Sequence, residues 1–414
     1  MKADLLVRGG RVIFPGQDIL EMDVAIQDGK VAALLKPGHA LEAARIIDAN
    51  EMLVMPGGVD AHTHLTMGPG EEGYETETRS AAIGGITTSI SYLLDAGEPA
   101  ESMKREIAAG ESRACGDFAI HPSVVTDAQV EVMAKTADTF GTPSFKFFMV
   151  FRGEEGAYLG IPGNDDGFLL GLLRTAAAHP GVLPCVHAEN VELVWKLKPE
   201  VVASGDGGLG DWDNARPDFV EAEAAMRALY LAERTGSPLY VVHITSREAL
   251  ETVRRAKASR PNKVFAETCV HYLTLTCENA SSPAGKVNPP LRHQDDVDAL
   301  WEGGADGTID VVGSDHVPRR FDSKAGGIWK ASAGFPGVGS LIPVFFTEGA
   351  KRGLPLELLA HKVTAAPAAI FGLAPSKGSL LPGADGDVTV LDPDRDVRFS
   401  AAAAKSWADY TPYE

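Results

Sequence analysis

The sequence predicts an α/β protein: a (β/α)8 barrel of the TIM type with a small β-sandwich domain built from both chain ends. Through the middle of the chain, short apolar runs alternate with amphipathic segments, a pattern typical of parallel strands that return through helices. Both ends instead carry apolar runs separated by glycine-rich turns, which is typical of hairpins. The 414 residues can hold a barrel of about 250 residues and a second, smaller unit.

The small β domain is predicted from the two ends of the chain. Three apolar runs near the start are β-like: residues 5–7, 24–26 and 31–33. A similar run at 388–391 follows a glycine-rich stretch. We expect residues 1–55 and 375–414 to form this domain, with a structural role or a role in subunit contacts, and residues 56–374 to form the barrel.

Eight apolar segments in the middle of the chain are the predicted barrel strands. They are residues 58–62, 86–92, 118–122, 144–149, 183–188, 239–244, 264–268 and 309–314. The predicted helices between them include residues 127–139, 167–178, 217–235 and 246–259. Most of these helices have Thr, Asp or Ser at or just before the start, where such residues cap the free backbone N–H groups.

Composition narrows the classes of function. The chain has 38 Lys and Arg against 57 Asp and Glu, a net charge of −19, which disfavours nucleic acid and anionic membrane surfaces as partners. The four cysteines show no Cys-x-x-Cys spacing, and no apolar run approaches the roughly 18 residues of a membrane span. We therefore expect a soluble cytoplasmic protein.

Metal-ligating side chains lie where the predicted strands end, which is the active-site face of a barrel. His62 and His64 are two residues apart, so both imidazoles can lie on the same face of a strand and reach one metal ion. Taken alone, such a pair is also compatible with chance surface histidines. His187 and His243 lie at the ends of two later strands and offer ligands for a second ion, and Asp315 adds a carboxylate. Core packing does not explain the whole set.

Lys146 lies in an apolar segment, residues 143–150, where an ammonium group is costly to bury. A lysine amine that adds carbon dioxide becomes an anionic carbamate, which can bridge two divalent cations. The alternative is a lysine that reaches solvent along its aliphatic chain or pairs with an acid. The nearby histidines favour the carbamate.

Seven ordered segments carry a family resemblance that covers nearly the whole chain: residues 54–65, 84–88, 144–146, 186–190, 242–246, 267–273 and 313–316. The chain resembles the cyclic amidohydrolases of the dihydropyrimidinase and hydantoinase type, in the amidohydrolase superfamily with allantoinases and dihydroorotases. The resemblance implies two divalent metal ions, usually zinc, bridged by a carboxylated Lys146. The other ligands would be His62, His64, His187, His243 and Asp315.

The resemblance also implies a reaction, the hydrolysis of a cyclic amide or ureide ring by a hydroxide that bridges the two metals. Asp315 would take the proton from the hydroxide and pass it to the leaving ring nitrogen. His271 and His316 are predicted to be supporting residues. Each either orients a neighbouring side chain or satisfies a buried hydrogen bond. Glu189 is interpreted as a cap or a structural hydrogen-bonding residue.

Two positions bear on the substrate. Dihydroorotases share the segment that begins at Asn288, which helps to hold substrate in that group, but they carry an arginine where this chain has Thr66. Without that guanidinium an acidic ring loses a bidentate partner, and Leu65 and Met67 predict a neutral, partly apolar pocket.

Hydantoinases carry a tyrosine, a donor to the developing oxyanion, where this chain has Phe151. A phenyl ring cannot donate this bond, so either another donor such as Tyr158 replaces the tyrosine or the substrate is not a standard dihydropyrimidine.

These observations predict a ring hydrolase for hydantoins, dihydropyrimidines or related cyclic imides. The alternatives are an allantoinase or a dihydroorotase-like hydrolase and, in another class, a non-catalytic scaffold like the dihydropyrimidinase-related proteins. Those scaffolds have lost metal ligands, whereas this chain retains the whole set. The family also predicts a homo-oligomer, either a dimer or a tetramer.

Overall fold

The computed structural model describes residues 2–157, 160–161 and 163–414. It is an α/β fold with parallel sheets. The strands are β1 (Lys2–Phe14), β2 (Asp18–Gln27), β3 (Lys30–Leu35), β4 (Glu42–Asp48), β5 (Leu53–Pro56), β6 (Gly58–Thr63), β7 (Ile86–Leu93), β8 (Asp117–Pro122), β9 (Ser144–Phe148), β10 (Leu183–His187), β11 (Leu239–Val241), β12 (Val264–Cys269), β13 (Val311–Gly313) and β14 (Val388–Leu391).

Helices follow most of the strands in the middle of the chain. They are α1 (Gly73–Ile83), α2 (Pro99–Arg113), α3 (Asp127–Phe140), α4 (Gly153–Ala157), α5 (Asp166–Ala178), α6 (Val191–Ser204), α7 (Leu209–Asn214), α8 (Asp218–Thr235), α9 (Arg247–Ser259), α10 (Gln294–Asp306), α11 (Leu341–Lys351), α12 (Leu356–Val363), α13 (Ala365–Ile370) and α14 (Ala401–Ala404). The four predicted helices correspond to α3, α5, α8 and α9. Thr126, Asp165 and Ser246 cap three of them by accepting a backbone N–H bond, as their side chains predict.

All eight strands predicted for the middle of the chain are present. Each pairs in parallel with at least one strand that is adjacent to it in the sequence. Strands β6, β7 and β8 form one sheet, and β9 to β13 form a second. Single parallel bridges connect Ser123 with Lys146, and Thr63 with His316. Because the strands are parallel, their carboxyl ends lie at the same edge of each sheet.

The two ends of the chain share one six-stranded sheet. Its order is β14-β5-β1-β2-β3, and β4 also pairs with β1. The pairs β1–β2 and β2–β3 are the hairpins that the glycine-rich turns predict. Strand β14 pairs with β5 antiparallel, so the distant β-like segment at 388–391 does join the first strands. Val7, Val24, Val54 and Leu380 are part of the apolar core of this sheet.

Residues near the end of the chain, after β14, contact the part of the chain that holds the parallel strands. The backbone N–H of Trp407 donates to Glu77 on α1 at 2.8 Å, and the hydroxyls of Tyr413 and Thr274 lie 3.2 Å apart. Among the described helices, none is both long and apolar enough to cross a membrane.

Candidate metal centre and active site

One cavity of about 630 Å³ opens at the carboxyl ends of the parallel strands. All six side chains predicted as metal ligands line this cavity: His62, His64, Lys146, His187, His243 and Asp315. Lys146 lies on β9 and His187 is the last residue of β10, whereas His243 and Asp315 lie two residues beyond β11 and β13. The parallel strands therefore bring together residues that are as far apart in sequence as His62 and Asp315.

His62, His64 and Asp315 form a compact group of buried ligand atoms. The Nε2 atoms of His62 and His64 lie 3.2 and 3.3 Å from Oδ1 of Asp315. One ligand atom from each of the three residues lies within 4.8 Å of the other two, which is a suitable arrangement for a cation. Burial lowers the pKa of His64 to about 4 and that of His62 well below its usual value, so both imidazoles are neutral, the form that binds metals.

Unsatisfied nitrogens support this assignment. Nδ1 of His62 lies 2.6 Å from Oε1 of Glu267, which directs its Nε2 towards Asp315. That buried Nε2 has no hydrogen-bond partner in the described structure, nor has Nδ1 of His64. Buried polar atoms of this kind are rare unless a ligand or a water satisfies them. The histidines therefore fit a metal site.

Lys146 is buried and makes no direct ion pair with a described residue. Only 1% of the residue is exposed, and its Nζ has no hydrogen bond or ion pair to any described residue. The Nζ lies 4.4 Å from the centre of the Tyr92 ring and 5.2 Å from that of Phe148. Burial lowers the pKa of Lys146 to about 8. The alternative, a lysine that reaches solvent or pairs with an acid, does not describe this side chain.

His187 and His243 lie next to each other in the cavity lining. Their ring centres are 4.5 Å apart, and the ring of His243 also stacks at 5.3 Å on that of His62. Nε2 of His187 lies 2.6 Å from Glu189, which leaves Nδ1 as the ring nitrogen not held by this contact. Glu189, interpreted from sequence as a structural residue, is therefore the hydrogen-bond partner of a candidate ligand.

The backbone is unusual where two candidate ligands leave their strands. His243 and Asp315 have φ angles of 37° and 45°, in the left-handed region that non-glycine residues rarely adopt. His243 lies just beyond β11, which ends at Val241. The sequence predicts a strand that continues to residue 244. Such strained positions cluster at functional sites, because they direct a side chain where a regular strand cannot.

Known proteins resemble this chain over nearly its whole length. The model of the amidohydrolase family matches residues 53–413. The chain belongs to this family. It is 34% identical to a D-hydantoinase of Streptomyces coelicolor, over all of this chain and 91% of that protein. It is 35% identical to an allantoinase of Salmonella choleraesuis, over 95% of this chain and 87% of the relative.

Solved structures give the same result. An L-hydantoinase (dihydropyrimidinase) from Arthrobacter aurescens superposes with a TM-score of 0.91 at 31% identity, covering 100% of this chain and 92% of the other. A D-hydantoinase structure superposes with a TM-score of 0.90 at 32% identity, covering 99% of this chain and 91% of the other. The likeness therefore extends over the whole amidohydrolase chain.

Glu267 is a supporting residue to which the sequence analysis gave no role. Besides His62, it accepts hydrogen bonds from the Tyr240 hydroxyl at 2.9 Å and from the backbone N–H of His243 at 3.1 Å. Burial raises the pKa of Glu267 to about 8. The signal that could have found it is the one used for Lys146, a charged residue within an otherwise apolar strand of this amidohydrolase.

The two supporting histidines differ from each other. His316 lies 2.9 Å from Glu77 through Nε2, and its Nδ1 accepts from the backbone N–H of Gly337 at 3.0 Å. These contacts are those of a residue that satisfies buried hydrogen bonds. His271 instead has no hydrogen bond at either ring nitrogen within the described residues, and its ring contacts Tyr272 and Phe335. Neither histidine lines the cavity.

The predicted substrate-binding residues are only partly brought together. Met67, Phe151 and Asn288 line the cavity, and Oδ1 of Asn288 is buried without a described partner. Leu65 does not line the cavity: it packs on Tyr74 and other residues outside it. Leu65 lies in a turn after β6, which the hydrogen bond from the Met67 backbone N–H to the His64 carbonyl closes at 3.1 Å, and this turn directs its side chain into the apolar cluster instead of the cavity. The candidate donor Tyr158 lies outside the described residues.

Proposed function

We propose that this amidohydrolase is a metal-dependent hydrolase that breaks a C–N bond in a cyclic amide or ureide: a hydantoin, a dihydropyrimidine or a related cyclic imide. The observation that carries the proposal is a cavity whose lining brings together four histidines, an aspartate and a buried lysine that makes no direct ion pair with a described residue. Hydantoinases and an allantoinase among the relatives support the same class of ring.

The closure of the barrel and the division into domains are part of the proposal. We infer that the eight parallel strands close into a (β/α)8 barrel, since bridges connect β6 with the segment after β13 and the segment after β8 with β9. We divide the chain into a small β-sandwich domain, residues 1–55 and 375–414, and a catalytic barrel, residues 56–374. The contacts of Trp407 and Tyr413 tie the end of the first unit to the second.

The cofactor that fits the site is a pair of divalent ions, which we propose to be zinc. His62, His64 and Asp315 would hold one, His187 and His243 the other, and Lys146 as a carbamate would bridge them. When bound, the ions lower the pKa of a water molecule from about 16 to near 7 and polarise the carbonyl of the ring.

The protein's own residues supply positioning and proton transfer. Glu267 fixes the ring of His62, and Glu189 fixes that of His187. The Asp315 carboxylate would accept a proton from the water whose oxygen bonds to the ring carbonyl carbon. It would then donate this proton to the ring nitrogen as the C–N bond breaks, so that one residue acts first as base and then as acid.

The partner is therefore a small cyclic amide. Because every ligand position is retained, the non-catalytic scaffold is the weaker candidate, and allantoin remains the alternative ring. We also propose a cytoplasmic homo-oligomer, a dimer or a tetramer. Its support is an exposed apolar face of α8, formed by Phe219, Met226 and Tyr230, and light scattering that gives a monomer at all concentrations would refute it.

Protein purified without chelator is expected to contain two divalent ions per chain, because six ligand side chains converge on one cavity. Elemental analysis measures the content, and a panel of rings measures turnover: dihydrouracil, 5-substituted hydantoins, allantoin, dihydroorotate and cyclic imides. A metal content near zero in folded protein, with no hydrolysis after zinc, cobalt or manganese is added, would exclude the proposed function.

Tyr158→Phe is expected to lower kcat roughly 10²-fold, the usual effect of removing an oxyanion donor, since the phenyl ring of Phe151 cannot donate this bond. Steady-state kinetics on the best ring of the panel measures the effect. The comparison is Phe151→Tyr, which should raise activity on unsubstituted dihydropyrimidines if Phe151 is only an apolar wall. An unchanged kcat in Tyr158→Phe would remove Tyr158 from the mechanism.

A further inference from the structure

Arg319 is a charged residue of the cavity that the proposed reaction does not use. The described lining has Lys146, Asp315 and the four histidines at the candidate metal centre, and apart from them Arg319 is the one Lys, Arg, Asp, Glu or His residue of this lining. We infer that Arg319 binds a carboxylate carried by the substrate, so that the preferred substrate is a cyclic amide with an anionic substituent. This inference rests on the proposed ring hydrolysis and specifies its substrate class.

The Arg319 guanidinium has no partner within the described structure. Its Nε is buried and makes no hydrogen bond, and no described acid forms an ion pair with the side chain. A buried donor left unsatisfied costs about 1–3 kcal/mol, more for a charged group. A planar guanidinium that faces a cavity is suited to bind a carboxylate through two parallel hydrogen bonds. The unsatisfied group therefore indicates an anionic ligand rather than a structural role.

The neighbouring residue, Arg320, has partners for its guanidinium group. Arg320 lies 3.1 Å from Asp409 and over the ring of Trp407, at 5.4 Å from the ring centre. Its backbone is extended, so Arg319 and Arg320 point to opposite sides of the segment. Arg319 lines the cavity and Arg320 does not.

Lys324 and Tyr410 occupy a backbone carbonyl of the cavity lining, that of Gly334. The Nζ of buried Lys324 donates to the carbonyl oxygens of Ser332 and Gly334, at 2.7 and 2.6 Å. The Gly334 carbonyl, which belongs to a lining residue, also accepts from the Tyr410 hydroxyl at 3.4 Å. This carbonyl is therefore already occupied. On this side of the described lining Arg319 is the cation that an entering anion meets, and the lining holds no acid other than Asp315.

The test compares rings that differ only in charge. Hydantoin-5-acetic acid and hydantoin-5-propionic acid are each paired with their neutral primary amide, and kcat/KM is measured on metal-loaded enzyme. The wild-type protein is expected to prefer the acids over the amides by roughly 10- to 100-fold, the range for a hydrogen bond to a charged group. Arg319→Met is expected to lower this acid/amide ratio by a similar factor, and Arg319→Lys to lower it less.

Arg320→Met is the matched control, because it removes the adjacent guanidinium that points away, and it should leave the acid/amide ratio unchanged. An equal effect of the two substitutions would overturn the assignment to Arg319. A wild-type ratio near one would also overturn the inference, even if Arg319→Met failed to fold. If neutral rings are opened and the ratio is near one, only this inference fails. If no ring of any charge is opened, the proposed function itself fails.

Discussion

Lys146→Ala is expected to lose both bound metal and turnover. The side chain is buried in the cavity of the four histidines and Asp315 and makes no direct ion pair with a described residue, and its carbamate would supply ligand oxygens to both of the ions that we propose. Without the activated water that the ions supply, the rate should fall by roughly 10³-fold or more, because a water with a pKa of about 16 is a poor nucleophile at neutral pH. Elemental analysis and steady-state kinetics measure the two losses together.

The control for this prediction is Lys362→Met. Lys362 is also buried, donates to the Ile309 carbonyl at 2.7 Å, and does not line the cavity, so it reports the effect of losing a buried lysine on stability alone. Adding a short carboxylic acid such as propionate to Lys146→Ala should restore part of the metal content and activity, because it supplies the missing oxygens. An active wild-type enzyme with a full metal pair and an unmodified Lys146 amine would contradict the carbamate.

Asp315→Asn is expected to lower kcat by about 10²–10⁴-fold while much of the metal stays bound. The amide oxygen can still coordinate weakly, but the amide cannot accept the proton from water or return it to the ring nitrogen. Kinetics across pH and metal analysis of the same preparation separate the two roles of Asp315. Asp322→Asn, seven residues along the chain and exposed, is the control. Near-normal turnover in Asp315→Asn across pH would assign the proton transfer to another group.

The candidate metal ligands were predictable because their signals are local. The spacing of His62 and His64 places them on one face of any strand, and a lysine in an apolar run is conspicuous whatever its neighbours. The order of strands and helices supplied the rest, since in parallel strands residues at the carboxyl ends meet at one edge. Cavity positions at or just after the end of a strand could therefore be predicted from the sequence.

Other features depend on backbone directions that no local pattern encodes. The sequence predicts a strand through residue 244, but the left-handed backbone of His243 follows a strand that ends at Val241. Leu65 faces away from the cavity for which its apolar side chain made it a candidate. Of two adjacent arginines, only the structure shows that Arg319 faces the cavity, and so the sequence predicted a neutral pocket.

The left-handed backbone of His243 and Asp315 has a consequence for protein engineering. Such conformations cost on the order of 1–3 kcal/mol each, and glycine adopts them without this penalty. A search for thermostable variants that scores melting temperature alone can therefore select glycine at either position and recover a more robust but inert protein. Selection on this scaffold needs an activity screen beside the melting measurement, and the two positions are best held fixed while stability is gained elsewhere.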